Sequence, residues 1–155
     1  MSSAYLHILL NHIPVIGTAI AAFVMFYGFF KKSDEIKKLA LIISILVAIT
    51  SIVVFQTGDK AKNKVVSIEG VNSDFIDPHE EFAEVAIIVS NVVGLLALVT
   101  LFVFRKPKHL PLWAAALFFA LILAVNGMMA WTAHLGGMIN HTEIMGVSPL
   151  KKTDK

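Results

Sequence analysis

Long runs of apolar residues, separated by shorter polar stretches, dominate the pattern along this sequence. Each run has about 20 residues or more, the length that an α-helix needs to cross the roughly 30 Å hydrocarbon core of a bilayer. We therefore predict an all-α fold, an integral membrane four-helix bundle over residues 1–147, followed by a flexible tail over residues 148–155. The predicted spans cover residues 6–30, 36–55, 82–104 and 112–139.

The polar stretches between the runs differ in length and charge. Residues 31–38 (KKSDEIKK) and 105–111 (RKPKHLP) form two short basic turns, which hold seven of the thirteen Lys and Arg residues. In membrane proteins Lys and Arg concentrate in the cytoplasmic loops. The bundle is therefore predicted to run up-down-up-down, with both termini and the longer loop over residues 56–81 on the outer face. No internal repeat is evident in the sequence.

Composition supports the membrane assignment and narrows the chemistry. Hydrophobic residues make up 57% of the 155 residues and charged residues 15%, and the mean hydropathy is +0.77. A soluble domain of this length could not bury so much apolar surface. The net charge of +2 gives no reason to expect a nucleic-acid partner. Because the chain has no cysteine, histidines and carboxylates must supply any metal ligands, and covalently attached haem and thiolate iron–sulfur clusters are excluded.

Five of the six histidines fall at the predicted outer end of the bundle. His7 and His12 lie in the first turns of the first run, His79 precedes the third run, and His134 and His141 close the fourth. An ionisable side chain within a membrane span is costly and marks a functional site by default, and imidazole is a common ligand of transition metals. We therefore predict metal ligands among these five. The alternative for any one of them is an interfacial residue with one nitrogen in water.

The spacing of the histidines favours ligands that come from different helices. His134 and His141 are seven residues apart, about 10 Å along one helix face, and His7 and His12 point about 140° away from each other. A haem held between imidazoles on facing helices fits this spacing. We predict His79 and His134 as the first pair of axial ligands, with His12, His7 and His141 as the next candidates.

Residues beside the fourth run complete the predicted cofactor site. Gly136 and Gly137 form a double glycine next to His134, and glycine allows a backbone to approach a cofactor closely. Trp131 is predicted to be an interfacial anchor that could also line the cofactor pocket.

Several short motifs, taken together, carry a resemblance to a known family. They are HILLNHIP (7–14), TGDKA (57–61), the His79-Glu80 pair and HLGGMINH (134–141). The set resembles an uncharacterised family of small four-helix bacterial membrane proteins, a domain of unknown function that is sometimes fused to a Rieske iron–sulfur domain. More distantly the chain is similar to four-helix b-type cytochromes. The resemblance implies electron transfer in the bacterial inner membrane and a cytochrome or Rieske-type redox partner.

The leading hypothesis is a haem b-binding electron-transfer protein, with one or two haems near the outer face, that links quinol to a periplasmic or membrane carrier. Both an oxidoreductase and an electron-transfer subunit of a larger membrane complex fit this hypothesis. One alternative is a non-haem enzyme or metal-handling protein, with zinc, copper or iron held by histidines and by Asp59, Glu80 or Glu84. The other is a cofactor-free accessory subunit surrounded by membrane lipid.

Overall fold

The described residues of the computed structural model, 3–66, 71–105 and 109–140, form an all-helical chain with four helices long and apolar enough to cross a membrane. The predicted all-α class and the four long apolar helices are therefore confirmed. His141 and the predicted tail over 148–155 lie outside the described residues. The helices are α1 (Ser3–Leu10), α2 (His12–Phe30), α3 (Asp34–Asp59), α4 (Lys62–Val65), α5 (Ile76–Val103) and α6 (Leu112–Asn140), with one 3₁₀ turn at Ser73–Phe75.

The first apolar run is divided into α1 and α2 by a brief interruption at Asn11. The backbone of Asn11 is still right-handed helical, with φ −61° and ψ −24°, and its N–H donates to the carbonyl of His7. Pro14 explains the interruption, because its ring clashes with the carbonyl four residues earlier and it has no N–H to donate. Pro14 itself is buried in the first turn of α2, where a missing N–H costs least.

The connection between α3 and α5 is shorter than the loop over 56–81 that the sequence predicts, since α3 continues to Asp59 and α5 already begins at Ile76. The Asn72 side chain accepts a hydrogen bond from the N–H of Asp74, which starts the 3₁₀ turn that leads into α5. The Asn72 N–H donates to the carbonyl of Ile139 at 3.0 Å and so ties this connection to the end of α6.

The four long helices pack in a closed ring in which α2 and α5 each contact both α3 and α6. Small residues allow close approach at these interfaces. A Cβ atom added to Gly17 would lie 2.6 Å from Val47, and one added to Gly94 would lie 2.5 Å from Ala48. Large apolar side chains such as Phe23, which is 69% exposed, cover the outer surface of the ring. This arrangement suits a lipid environment.

At the end of the bundle away from His7, Asp34 joins the second long helix to the fourth. The Asp34 carboxylate accepts hydrogen bonds from the N–H of Leu110 at 3.0 Å and from Nδ1 of His109 at 2.9 Å. It also pairs with the buried Lys37 at 2.7 Å. His109 therefore has a structural partner at this end, remote from the other histidines.

Candidate cofactor site

A cavity of about 600 Å³ opens at the end of the bundle where α1, α3, α5 and α6 meet. Its walls are mostly apolar, and its polar lining includes Asn11, Glu80 and Thr132. Cavities of this size hold small molecules and cofactors in other proteins, which use about 300–1,000 Å³. His7, His12 and His79 also line it. We call this space the histidine cavity.

His7 is held in one orientation by the end of α3. Its Nδ1 lies 2.9 Å from the carbonyl oxygen of Val54. A carbonyl can only accept, so Nδ1 carries the proton and donates it, and the neutral ring keeps its lone pair on Nε2. Gly58 makes this approach possible, because a Cβ atom there would lie 2.8 Å from Cε1 of His7.

His79 is held in the same manner by the end of α6. Its Nδ1 donates to the carbonyl of Thr132 at 2.9 Å. One helical turn further on, a Cβ atom at Gly136 would lie 3.1 Å from Cε1 of His79. Each imidazole therefore lies against a glycine and donates to the carbonyl four residues before that glycine.

The two rings face each other across the cavity. Their centres are 6.5 Å apart and their planes are inclined by 82°. Within the part of the chain that the structure describes, the only hydrogen-bond partner of either ring is the carbonyl at Nδ1. The Nε2 lone pairs of His7 and His79 are thus available to a bound group.

The other histidines that the sequence singles out lie in different surroundings. His12 lines the cavity but is exposed. His134 is exposed and its ring lies against that of Trp131, with centres 5.2 Å apart. Neither His134 nor Trp131 lines the cavity, and His79 meets His7 rather than His134.

Both residues of the predicted double glycine belong to the cavity. Gly136 and Gly137 both line it, and Gly136 lies against His79.

The carbonyls that orient the two imidazoles were missed by the sequence analysis, because every residue carries a carbonyl and no side chain marks which one is used. Gly58 could have been found, since it lies in the TGDKA motif at the end of a predicted span.

One buried polar atom near the cavity has no partner among the described residues. Asn11 lines the cavity, and its side-chain oxygen is buried and makes no hydrogen bond to the described residues. Leaving a buried polar atom without a partner costs about 1–3 kcal/mol. Only a hydrogen-bond donor could satisfy this oxygen.

A three-residue ion cluster forms part of the cavity wall, since two of its members, Lys62 and Glu80, line the cavity. Lys62 of α4 donates to Glu80 and to Asp77, the latter at 2.9 Å. The hydrogen bond to Glu80, and then that to Asp77, raises the pKa of Lys62 above its usual range. Lys62 therefore stays charged over any physiological pH and holds α4 to the start of α5.

Among the residues 3–66, 71–105 and 109–140, no three His, Asp or Glu side chains lie close enough to hold a metal ion. This geometry gives no support to the mononuclear zinc, copper or iron site, in which Asp59, Glu80 or Glu84 would join the histidines. No family model, curated protein or solved structure matches the chain.

Proposed function

We propose that this protein is a membrane electron-transfer protein that binds haem b, with His7 and His79 as the axial ligands. The single observation that carries the proposal is the facing pair of imidazoles, each oriented by a backbone carbonyl and each with a free Nε2. The proposal replaces the predicted His79–His134 pair by one whose members meet across the cavity.

The distance between the two rings fits two ligands to one iron. A metal–imidazole bond is about 2 Å long, so two rings that share one metal ion through Nε2 have centres about 6 Å apart. The observed separation of 6.5 Å is close to this value. Haem also fits a two-histidine site better than zinc does, because the porphyrin supplies four nitrogens, whereas a protein zinc site needs three or four side chains.

The residues around the two ligands would hold them in place. The carbonyls of Val54 and Thr132 fix the Nδ1–H tautomer of the imidazoles, and such hydrogen bonds raise the basicity of a ligand. The mostly apolar walls of the cavity would surround the porphyrin. The side-chain NH2 group of Asn11 would donate to a carboxylate of the haem.

When bound, haem supplies a one-electron redox centre. Histidine at both axial positions leaves no open iron position, which favours electron transfer over oxygen chemistry. We propose that the four helices cross the bacterial inner membrane with the histidine cavity at the outer face. The donor would be a quinol and the acceptor a periplasmic or membrane carrier of the cytochrome or Rieske type. The concentration of Lys and Arg in the two short basic turns supports this orientation.

The test is the absorption spectrum of purified protein after expression with an ample supply of haem. The wild-type protein should show a Soret band and, when reduced, split α and β bands of a six-coordinate low-spin haem. His7→Ala and His79→Ala should each remove this low-spin spectrum, because each deletes one axial ligand.

His12→Ala is the matched control. His12 also lines the cavity but is exposed, so its removal should leave the spectrum unchanged. A His134→Ala variant should behave like the control. Loss of the spectrum in His134→Ala with retention in His7→Ala, or absence of a Soret band from the haem-supplied wild type, would contradict the proposal.

A further inference from the structure

The arrangement that holds His7 recurs around His79, and the two copies occur in the same order along the chain. In each copy a helix begins near a histidine, and the following long helix ends with the carbonyl and the glycine that receive it. His79 follows His7 by 72 positions, and the pairs Val54–Thr132 and Gly58–Gly136 are each separated by 78 positions. The buried positions of the long helices follow the same two separations.

The buried positions of α2 and α5 do follow the separation of 72. Both helices bury residues on one face only, and 72 is the separation of the two histidines. Every buried residue of α2 except Gly28 has a buried counterpart in α5. The pairs are Pro14–Ala86, Thr18–Ser90, Ala21–Val93, Ala22–Gly94 and Met25–Ala97.

The buried positions of α3 and α6 follow the separation of 78 in the same way. Five of the seven buried residues of α3 have a buried counterpart in α6. The two exceptions, Leu41 and Ala48, correspond to the half-buried Phe119 and Asn126. The matching pairs are Lys37–Ala115, Ala40–Phe118, Ser44–Ile122, Val47–Val125 and Ser51–Met129.

The histidine cavity is built from the same pairs. With four exceptions, every residue that lines the cavity has a counterpart, at a separation of 72 or 78, that also lines the cavity. Ser51 and Met129 are one such pair. Two of the four, Lys62 and Val65, correspond to positions 140 and 143, whose side chains lie outside the described part of the chain. The other two are His12 and Ile16.

These observations lead to one proposal, which rests on the proposed function for the identity of the ligand. We propose that the chain consists of two equivalent helical hairpins related by an internal two-fold axis along the bundle, and that the histidine cavity lies on this axis and binds a single haem. Parallel repeats related by an axis along the membrane normal are known in membrane proteins. Here α2 and α5 occupy opposite corners of the ring, as a two-fold axis through its centre requires.

Because the cavity lies on the axis, the chain has one haem site shared by the two hairpins rather than one site in each hairpin. Each hairpin contributes one histidine, and the two histidines face each other rather than two separate groups. One flat ligand between them would present equivalent faces to the two hairpins. The stoichiometry is therefore one haem per chain, and the two histidines have equal importance.

The two hairpins differ in chemistry at several positions of the cavity lining. Asn11 corresponds to Ala83, whereas Ile8 corresponds to Glu80, and all four line the cavity. Each hairpin thus contributes a polar side chain where the other contributes an apolar one.

The two-fold axis can be tested without haem, because the chain has no cysteine of its own. Spin labels would be attached to cysteines placed at the exposed positions Phe23, Leu46, Leu95 and Ala124. Distances between pairs of labels would be measured by pulsed EPR in lipid nanodiscs. Within the hairpins, the distance between labels 23 and 46 should equal that between labels 95 and 124. Between the hairpins, the distance from label 46 to label 95 should equal that from label 124 to label 23. A mismatch of one helical turn, about 5.4 Å, in either comparison would overturn the two-fold axis.

The single site is tested by titrating the same purified protein with haem. One haem per chain should bind, and His7→Ala and His79→Ala should each lose the whole low-spin signal. Two haems per chain, or half of the signal in each variant, would overturn the shared site. Matching label distances in a protein that binds no haem would defeat the haem assignment while leaving the two-fold axis in place.

Discussion

At the scale of single residues, each imidazole depends on a glycine that lies within one turn of its carbonyl acceptor. Gly58 and Gly136 leave space that any side chain would occupy. Without this space, His7 could not lie flat enough against α3 for its Nδ1 to reach Val54, and the same holds for His79 on α6. The positions of these glycines therefore explain how two histidines from different hairpins are oriented toward one centre.

Adding one methyl group at either glycine should weaken haem binding. In Gly58→Ala the new Cβ would lie 2.8 Å from the His7 ring, and in Gly136→Ala it would lie 3.1 Å from the His79 ring. The ring must move and its hydrogen bond to the carbonyl lengthens. Loss of such an orienting bond costs about 10- to 100-fold in metal affinity. Haem titration should show the larger loss for Gly58→Ala, where the contact is closer.

Gly127→Ala is the matched control for this prediction. Gly127 lies in α6, like Gly136, but a Cβ atom there meets nothing within 4 Å. Its replacement should leave haem affinity unchanged, and it should stabilise the helix by up to about 1 kcal/mol, since alanine loses less backbone entropy than glycine. Equal weakening of haem binding in Gly127→Ala and Gly58→Ala would show that the effect does not come from the imidazoles.

The sequence indicated which types of residue form the site, but not which two histidines lie opposite each other. Histidine and glycine at the ends of apolar runs indicated a cofactor site. The partner of His79 could not be read from the sequence, because it depends on which face of α1 meets α3. That face is selected by packing along the whole length of the helices, and the acceptors are backbone carbonyls.

At the scale of helices, the junction between α1 and α2 holds a buried polar atom without a partner. Its interruption follows from Pro14, and it leaves the side-chain oxygen of Asn11 without a hydrogen bond among the described residues. An asparagine kept at such a cost is expected to have a use in the bound state.

Replacing Asn11 by leucine should have opposite effects on the empty and the loaded protein. Asn11→Leu removes an unsatisfied buried polar group, which should stabilise the empty protein by about 1–3 kcal/mol. It also removes a hydrogen bond to the cofactor, worth about 0.5–1.5 kcal/mol and so roughly a threefold to tenfold loss of haem affinity. Denaturant unfolding without haem and haem titration measure the two effects. A variant that is less stable when empty would show that Asn11 has a structural partner.

The helices themselves were largely predictable, because length and hydropathy are sufficient to recognise a membrane span. The start of α5 could not be predicted in this way. Its first turns carry Asp77 and Glu80, and a charged stretch of this kind is typical of a loop. Acidic residues at a helix N-terminus are favoured by the helix dipole, so the helix begins before the apolar run does. The 3₁₀ turn that Asn72 caps leads directly into α5, so the chain is already helical before the apolar run begins.

At the scale of the whole molecule, two hairpins form one bundle with one shared site. The repeat was not evident in the sequence because equivalent positions carry different residues. Ala48 corresponds to Asn126, whose amide donates to Thr18 at 2.8 Å, and Asn11 corresponds to Ala83. Burial and contacts preserve the equivalence where residue identity does not. The two interfaces between the hairpins can therefore differ in chemistry while the central cavity keeps its shape.

The most direct test of the central claim, that His7 and His79 ligate one iron, is the EPR spectrum of the oxidised, haem-loaded protein. The two ring planes are inclined by 82°, and perpendicular axial imidazoles give a low-spin ferric signal with one unusually large g value. We expect a single signal of this type. A high-spin ferric signal, or the rhombic low-spin signal of parallel imidazole planes, would contradict it.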